Sequence, residues 1–275
     1  MLGILLNLLA EQVAGLIVFV ALPVEVHLAA LEAQDVSRLL PKRMDHSNKG
    51  SYGKLLVIAG SVNMAGAAIM CARAAYRSGC GLVKILTAEE NRVIIQSAVP
   101  EAILSTYGTK LDEMQVVEEL KWADAVVLGP GIGTERNAQK LVSLVLKNCA
   151  VPLLLDADAL NVIAKETELL LRPHTEMVVT PHLGEMARLT GDTVSLIQTR
   201  LVESAFTFAQ TYNVVCVLKD FHTVTAIPYA LGYLNLSGNH GMATGGSGDV
   251  LSGVIGADRG CCSTSWGICP WSCRG

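Results

Sequence analysis

Three things are scarce or missing in this sequence, and each absence removes a class of function. Positive charge is not in excess: 21 Lys and Arg stand against 25 Asp and Glu in 275 residues, a formal net charge of −4. Without a basic field, nucleic acid and acidic membrane surfaces are excluded as general partners, and a small molecule is the expected ligand. Long apolar runs are missing as well. VAGLIVFVAL, residues 13–22, follows a stretch broken by Asn7, Glu11 and Gln12. It falls well short of the about 20 apolar residues a spanning helix needs. No Lys or Arg precedes it, so the basic start of a secretory signal is missing too, and residues 1–44 are expected to be an apolar extension, buried or poorly ordered. Paired C-x-x-C spacing is the third absence. Cys71, Cys80, Cys149 and Cys216 are scattered through apolar segments and read as buried thiols of a reducing, cytoplasmic compartment. Cys261, Cys262, Cys269 and Cys273 crowd the end without a nearby His, which does not make a zinc site.

What is present is hydrophobic mass and alternation. Hydrophobic residues make up 51% of the chain, enough for a sizeable core. After the polar boundary LLPKRMDHSNKG, apolar strand-like runs alternate with helix-like segments. KLLVIAG (54–60) reads as a buried strand and AGAAIMCARAAYRSG (65–79) as an Ala-rich helix ended by Gly79. DEMQVVEELKWA is an amphipathic helix, DAVVLGPGIG a strand and turn, and TERNAQKLVSLVLKN a helix with Thr134 as the expected N-cap. PLLLDADALNVIA and EMVVTPHLGEMARLTG repeat the pattern, and VSLIQTRLVESAFTFAQTY reads as one long helix before the strand NVVCVLK. TVTAI and GYLNL then suggest a hairpin, and SGDVLSGVIGA a last helix. No linker or internal repeat divides the chain, so one domain is expected from residue 45. The fold class is α/β, a mostly parallel sheet with helices on both faces, and ligands of such sheets lie at the carboxyl ends of the strands.

Four of those strand ends or helix starts are polar or Gly-rich: GPGIG (129–133), DADALN (156–161), TPHLGE (180–185) and GGSGD (245–249). Gly245, Gly246, Ser247 and Gly248 expose backbone N–H groups at a helix's positive end, which suits an anion, though a tight turn needing positive φ reads the same way. It is neither a Walker sequence nor a dinucleotide fingerprint. Asp249 adds a carboxylate to that turn. It either complements the helix dipole or, beside a phosphate, acts as the base that phosphoryl transfer to a hydroxyl requires. His182 follows Thr180 and Pro181, an N-cap and N1 pair, and has a structural reading and a hydrogen-bonding one. Glu185 suits Mg²⁺ held through water and the helix's positive end equally. Asp156 and Asp158 divide between groups around a metal and a cap, with Asp158 suiting the cap of ALNVIA.

Taken in order, HSNKGSYGKLLVIAGS, MAGAA, GLVKILT, PEA, LGPGIG, LDADALN, TPHLGEMARL, VLKD and NHGMATGGSGDVLSG resemble the ADP- or ATP-dependent NAD(P)H-hydrate dehydratases of the ribokinase-like superfamily, over about residues 45–257. The resemblance implies a three-layer ribokinase-like fold and a substrate that is hydrated NADH or NADPH. It further implies phosphorylation of the ring hydroxyl by ADP or ATP with Mg²⁺, followed by loss of phosphate, and a homo-oligomer. It puts Ala67, Gly131, His182 and Asp249 at the hydrate, with Asp249 as base. Lys219, Asp220, Phe221, His222, Thr223 and Gly245 to Gly248 fall at the nucleotide, and Glu185 at a water-mediated metal position. Related folds of different activity are small-molecule kinases and non-catalytic nucleotide binders.

Two departures from the family stand out. Lys219 is followed by Asp220 where the family has Lys-Gly, which places an added carboxylate near phosphates. After GVIGA, residues 258–275 (DRGCCSTSWGICPWSCRG) do not continue the family's apolar helices. They are expected to be an irregular Cys-rich tail of the kind a frameshift or misassembly produces, leaving the domain truncated at its C-terminus.

Overall fold

The computed structural model describes residues 18–21, 25–30, 45–171 and 175–262. Its frame is an eleven-stranded sheet. The strands are β1 (Val18–Ala21), β2 (Glu25–Ala30), β3 (Lys54–Ile58), β4 (Leu82–Ala88), β5 (Ile103–Tyr107), β6 (Ala125–Leu128), β7 (Leu153–Leu155), β8 (Met177–Val179), β9 (Val215–Leu218), β10 (Thr223–Ala226) and β11 (Gly232–Asn235), in the order β1-β2-β11-β10-β9-β8-β7-β6-β3-β4-β5. From β9 to β5 every neighbouring pair is parallel. The β10–β11 hairpin and the β1–β2 pair are antiparallel. Parallel strands covered on both faces need apolar residues at every position, and AVVL, LLL, MVV and VCVL of β6 to β9 are buried throughout.

Two helical layers cover the sheet. Successive residues of β3 point to opposite faces: Leu55 and Val57 join one core and Leu56 and Ile58 the other. The first core is covered by α1 (Ala65–Arg77), α2 (Arg92–Ala98) and α9 (Ser247–Cys262), through residues such as Cys71, Ile95 and Ile255. The second is covered by α3 (Glu113–Trp122), α4 (Arg136–Asn148), α5 (Asp158–Ile163), α6 (Leu183–Thr190), α7 (Val194–Thr199) and α8 (Leu201–Tyr212), through residues such as Leu120, Leu141, Leu160, Met186, Ile197 and Phe206.

The sequence expectations hold for the alternation, the α1 stop near Gly79 and the hairpin, and differ at several points. Residues 194–212 are two helices, because Arg200 at φ −122° and ψ 40° leaves the helical region between them. The N-cap of α4 is Glu135 rather than Thr134. Asp158 is the first residue of α5 rather than its cap. Cys149 is only partly buried, whereas Cys71, Cys80 and Cys216 are buried free thiols. Helix α9 runs to Cys262, so residues 258–262 of the expected irregular tail are helical. Within the N-terminal extension β1 and β2 are strands, β2 pairing with β11; its other residues, and 263–275, lie outside the described residues.

The sheet places the site. Strand order reverses at β3, which pairs with both β4 and β6, and a crevice opens beyond the carboxyl ends of strands at such a switch point. The loops after β3 and β6 meet there: Gly60 N donates to Pro130 O at 2.9 Å. Helix α9 is held close beneath the rim by its glycines. A Cβ on Gly253 would overlap the Cys71 carbonyl of α1, and one on Gly256 would lie 2.5 Å from Val127 Cγ2 of β6.

Candidate active site

Asp156 is the point at which the rim closes. It follows LLL of β7 and is 1% exposed. Both of its oxygens are occupied: Oδ1 accepts from Thr180 Oγ1 at 2.7 Å and from Lys219 Nζ at 2.8 Å, and Oδ2 accepts from Ser252 Oγ at 2.7 Å. These partners stand after β8, after β9 and in α9. A buried carboxylate is tolerated when it is paired and hydrogen-bonded in this way. The next residue, Ala157, has φ 51° and ψ −116°, a region an L-residue enters only when its surroundings hold it there. That kink turns Asp158 toward the other loop, where its Oδ2 accepts from Gly133 N at 2.9 Å.

Thr180 was expected to cap α6, but its hydroxyl is engaged by Asp156, and the cap falls to His182. His182 Nδ1 accepts from Gly184 N at 2.9 Å and Glu185 N at 3.3 Å, while Glu185 Oε2 accepts from His182 N at 2.9 Å, a reciprocal capping box. With Nδ1 accepting, Nε2 lies 3.4 Å from Glu185 Oε1, and the side chain is 54% exposed. The buried Glu185 carboxyl is pushed up from its usual range by desolvation, against the pull of Lys219 and the His182 amide. Lys219 N donates to Pro181 O at 2.8 Å, which brings the strand ends of His182 and Lys219 side by side.

The Gly-rich start of α9 faces the same lysine. A Cβ on Gly248 would lie 3.7 Å from Lys219 Nζ and 3.8 Å from Asp156 Oδ2. Gly246, at φ 91°, needs the freedom of glycine, and a Cβ there would overlap Met70 Sδ of α1. Ser247 and Gly248 open the helix, so Asp249 stands in its first turn, half-buried. Its carboxyl is pushed up to about 6, first by burial and then by the charge of Asp156; Lys219 opposes this and Asp158 adds to it. A carboxyl poised there is suited to proton abstraction near neutral pH.

Of the residues expected at the hydrate, Ala67 and Gly131 lie against each other. Gly131, at φ 62°, lies against α1, and a Cβ there would be 2.9 Å from Ala67 Cβ and 3.2 Å from Met64 Cβ. Asp220, Phe221 and His222 lie in the turn between β9 and β10, just ahead of Thr223, the first residue of β10, with Phe221 and His222 exposed and their rings 4.5 Å apart. Gly245 is exposed, and a Cβ there would meet nothing within 4 Å. HSNKGSYG is not at this rim. Its Asn48 and Ser51 form a capping box around the turn Lys49–Tyr52, at the amino end of β3. The residues missed by sequence reasoning are Thr180 and Ser252, and Asp156 in its actual role. The polar residue after LLL and the polar residue after MVV were the available signal.

No three His, Cys, Asp or Glu side chains among the described residues gather as a metal-binding group. Both Glu185 oxygens face His182, Oε1 at 3.4 Å from Nε2. Such a donor set fits Mg²⁺ carried by nucleotide phosphates and water, with Glu185 outside that shell, better than a cage built by the protein. No helix of the described residues is long and apolar enough to cross a membrane.

A parallel three-layer sheet with a Gly-rich helix start, a cation and a poised carboxylate at its switch-point rim defines a ribokinase-like protein. A ribokinase-like superfamily protein from Enterococcus faecalis has the same fold at TM-score 0.76 and 25% identity, over 86% of this chain and 80% of that one. The family model described as NAD(P)H-hydrate dehydratase matches residues 55–258, and the chain belongs to that family. The bifunctional NAD(P)H-hydrate repair enzyme Nnr of Escherichia coli is 41% identical over 256 residues, 90% of this chain and 48% of the relative, so this chain spans about half of that protein's length. The ADP-dependent (S)-NAD(P)H-hydrate dehydratase of Bacillus subtilis is 38% identical, over 81% of this chain and 78% of the relative. The crystal structure of the Bacillus subtilis ADP/ATP-dependent NAD(P)H-hydrate dehydratase, co-crystallised with ATP/Mg²⁺, superimposes at TM-score 0.73 and 35% identity, covering 83% and 79% of the two chains.

Proposed function

We propose that this chain dehydrates hydrated NADH or NADPH at the expense of ADP or ATP. The observation that carries the reading is Asp249, a carboxyl raised to about 6 in the first turn of α9, facing Lys219. The hydrate's ring lies against Ala67 and Gly131, where only small residues leave room, and His182 Nε2 hydrogen-bonds it. Asp249 takes the proton of the ring hydroxyl as its oxygen forms a bond to the terminal phosphorus of the nucleotide. The bond from that phosphorus to the nucleotide breaks, leaving AMP from ADP or ADP from ATP. Backbone N–H groups of Gly245 to Gly248 and the Lys219 ammonium hold the charge that develops on the phosphoryl oxygens. The ring then expels inorganic phosphate as a neighbouring carbon loses a proton, and the dihydronicotinamide is restored. Mg²⁺ brought in with the nucleotide would neutralise phosphate charge, and Glu185 is the residue that would reach it through water. The segment Asp220 to Thr223 borders the nucleotide, and its exposed Phe221 offers a face for the base.

The test supplies hydrated NADH or NADPH with ADP or ATP and Mg²⁺ and follows the near-ultraviolet absorbance of the dihydronicotinamide together with phosphate release. Both are expected to rise. A phosphorylated product that accumulates without phosphate release assigns a small-molecule kinase. Nucleotide binding with no turnover assigns a non-catalytic binder.

A further inference from the structure

We propose that Asp156 is the positioning residue of this site: it ties Lys219 and the first turn of α9 to one buried point and so fixes the lysine's ammonium relative to the Asp249 carboxylate. The inference rests on the proposed function for its kinetic readout only. Three elements converge on this side chain, and each of its bonds has a different consequence. The bond from Lys219 Nζ, 2.8 Å, holds a flexible four-carbon cation in one place at the end of β9. The bond from Ser252, 2.7 Å, belongs to a hydroxyl that also lies 3.1 Å from Gly248 O, so it joins Asp156 to the turn that carries Asp249. The bond from Thr180, 2.7 Å, braces the carboxylate from β8 and leaves α6 to be capped by His182.

Asp156 is buried on all sides and all of its partners are inside the protein, so contact with substrate is not its task. Its charge nevertheless reaches Asp249. The groups facing Asp249 are Asp156, Lys219 and Asp158, with Cys71 of α1 behind them as a neutral thiol because burial pushes it up. Glu185 senses both Lys219 and Asp156 from α6. Replacing the Asp156 carboxylate by an amide of the same size removes the negative neighbour, which favours the ionised form of Asp249 and outweighs the opposing loss of a fixed lysine, because Asp156 acts on that carboxyl more strongly than Lys219 does.

The experiment compares the unmodified chain with Asp156→Asn and Ser252→Ala. The pH dependence of kcat/KM for hydrated NADH is measured from about pH 4.5 to 8.5, and the Asp249 carboxyl is titrated by carbon NMR without substrate. Asp156→Asn is expected to lower kcat about 100-fold, the scale of a misplacement of about 1 Å, and to move the acidic limb and the Asp249 titration to lower pH. Ser252→Ala keeps the charge, and is expected to lower kcat by about tenfold with the limb in place. A purely structural Asp156 would lower the melting temperature and leave both the limb and the titration where they were, which overturns the proposal. Should Asp156→Asn not fold, Ser252→Ala and Thr180→Val decide: a kcat within about twofold of the parent in both overturns it, and a fall in either supports it. If the unmodified chain has no turnover, the proposed function fails alone; the Asp249 titration then decides, a shift in Asp156→Asn supporting the positioning role and an unchanged titration overturning it.

Discussion

Two neighbouring parts of the rim are built on opposite principles. Around Asp156 everything is paired and closed: the carboxylate is 1% exposed and meets Thr180, Lys219 and Ser252. Beside it the turn 239–245 is exposed throughout, and Gly245 has open space on the side where a Cβ would stand. The closed part sets charges in fixed places, where their interactions are strong because water is excluded. The open part leaves backbone amides without side chains in front of them, for a ligand to occupy. Asp249 sits at the boundary and takes its raised proton affinity from one part and its access to a ligand from the other.

The largest effect is expected from removing that boundary residue. Asp249→Asn should lower kcat by about 1,000-fold, within the range of general-base losses, while nucleotide affinity by calorimetry changes little. Stability should move the other way. The folded protein raises the Asp249 carboxyl from 3.8 to about 6, so it binds that proton more tightly than the unfolded chain does. Its contribution is therefore fully present below about pH 4 and is lost as pH rises through about 6. Asp249→Asn escapes this loss. Its melting temperature relative to the parent should rise between about pH 4 and 8, and a difference that stays constant across that range would remove Asp249 as the perturbed group.

Next comes the support under the closed part. Gly253→Val puts a side chain into the Cys71 carbonyl, and the cost is expected to be about 3 kcal/mol, the upper end for overpacking. Thermal denaturation should report a loss of several degrees, with activity falling alongside because α9 carries Asp249. His182→Asn separates a helix cap from a ligand contact: Asn caps as well as any residue, so stability should hold to within about 0.5 kcal/mol, while KM for the hydrate rises about tenfold through the lost Nε2. A stability loss without a KM change would leave His182 as a cap only. The smallest effect on folding is expected at the open part. Gly245→Ala meets no neighbour, so its stability change should stay within about 0.5 kcal/mol, and a rise in nucleotide KM without a change in melting temperature would mark the turn as ligand-facing.

The sheet was legible because it is buried on both faces: a strand that must be apolar at every position writes itself into the sequence as VVL, LLL or MVV. The Gly-rich helix start and its single carboxylate were legible for a similar reason, since few folds place so many bare amides before an apolar helix. Caps were misread where a side chain had a more distant use. Thr180 looked like the cap of α6, but its hydroxyl goes to a residue 24 positions back, and Asp158 looked like the cap of α5, but it holds Gly133, 25 positions back. Asp156 was harder still. Its lysine is 63 positions away and its serine 96, and only the folded sheet brings them together. Local pattern reports what a residue can do with its neighbours in sequence, and these residues spend their hydrogen bonds elsewhere.

Ala157, held at φ 51°, lies between two carboxylates that serve opposite sides of the crevice: Asp156 reaches β9 and α9, and Asp158 reaches the loop after β6. The two walls thus share one joint only two peptide planes long. For anyone redesigning this protein the walls are not separate modules. A loop graft that alters the path after β6 also pulls on the anchor of Lys219, so variants meant to accept a different ring are best selected with the DAD turn left intact.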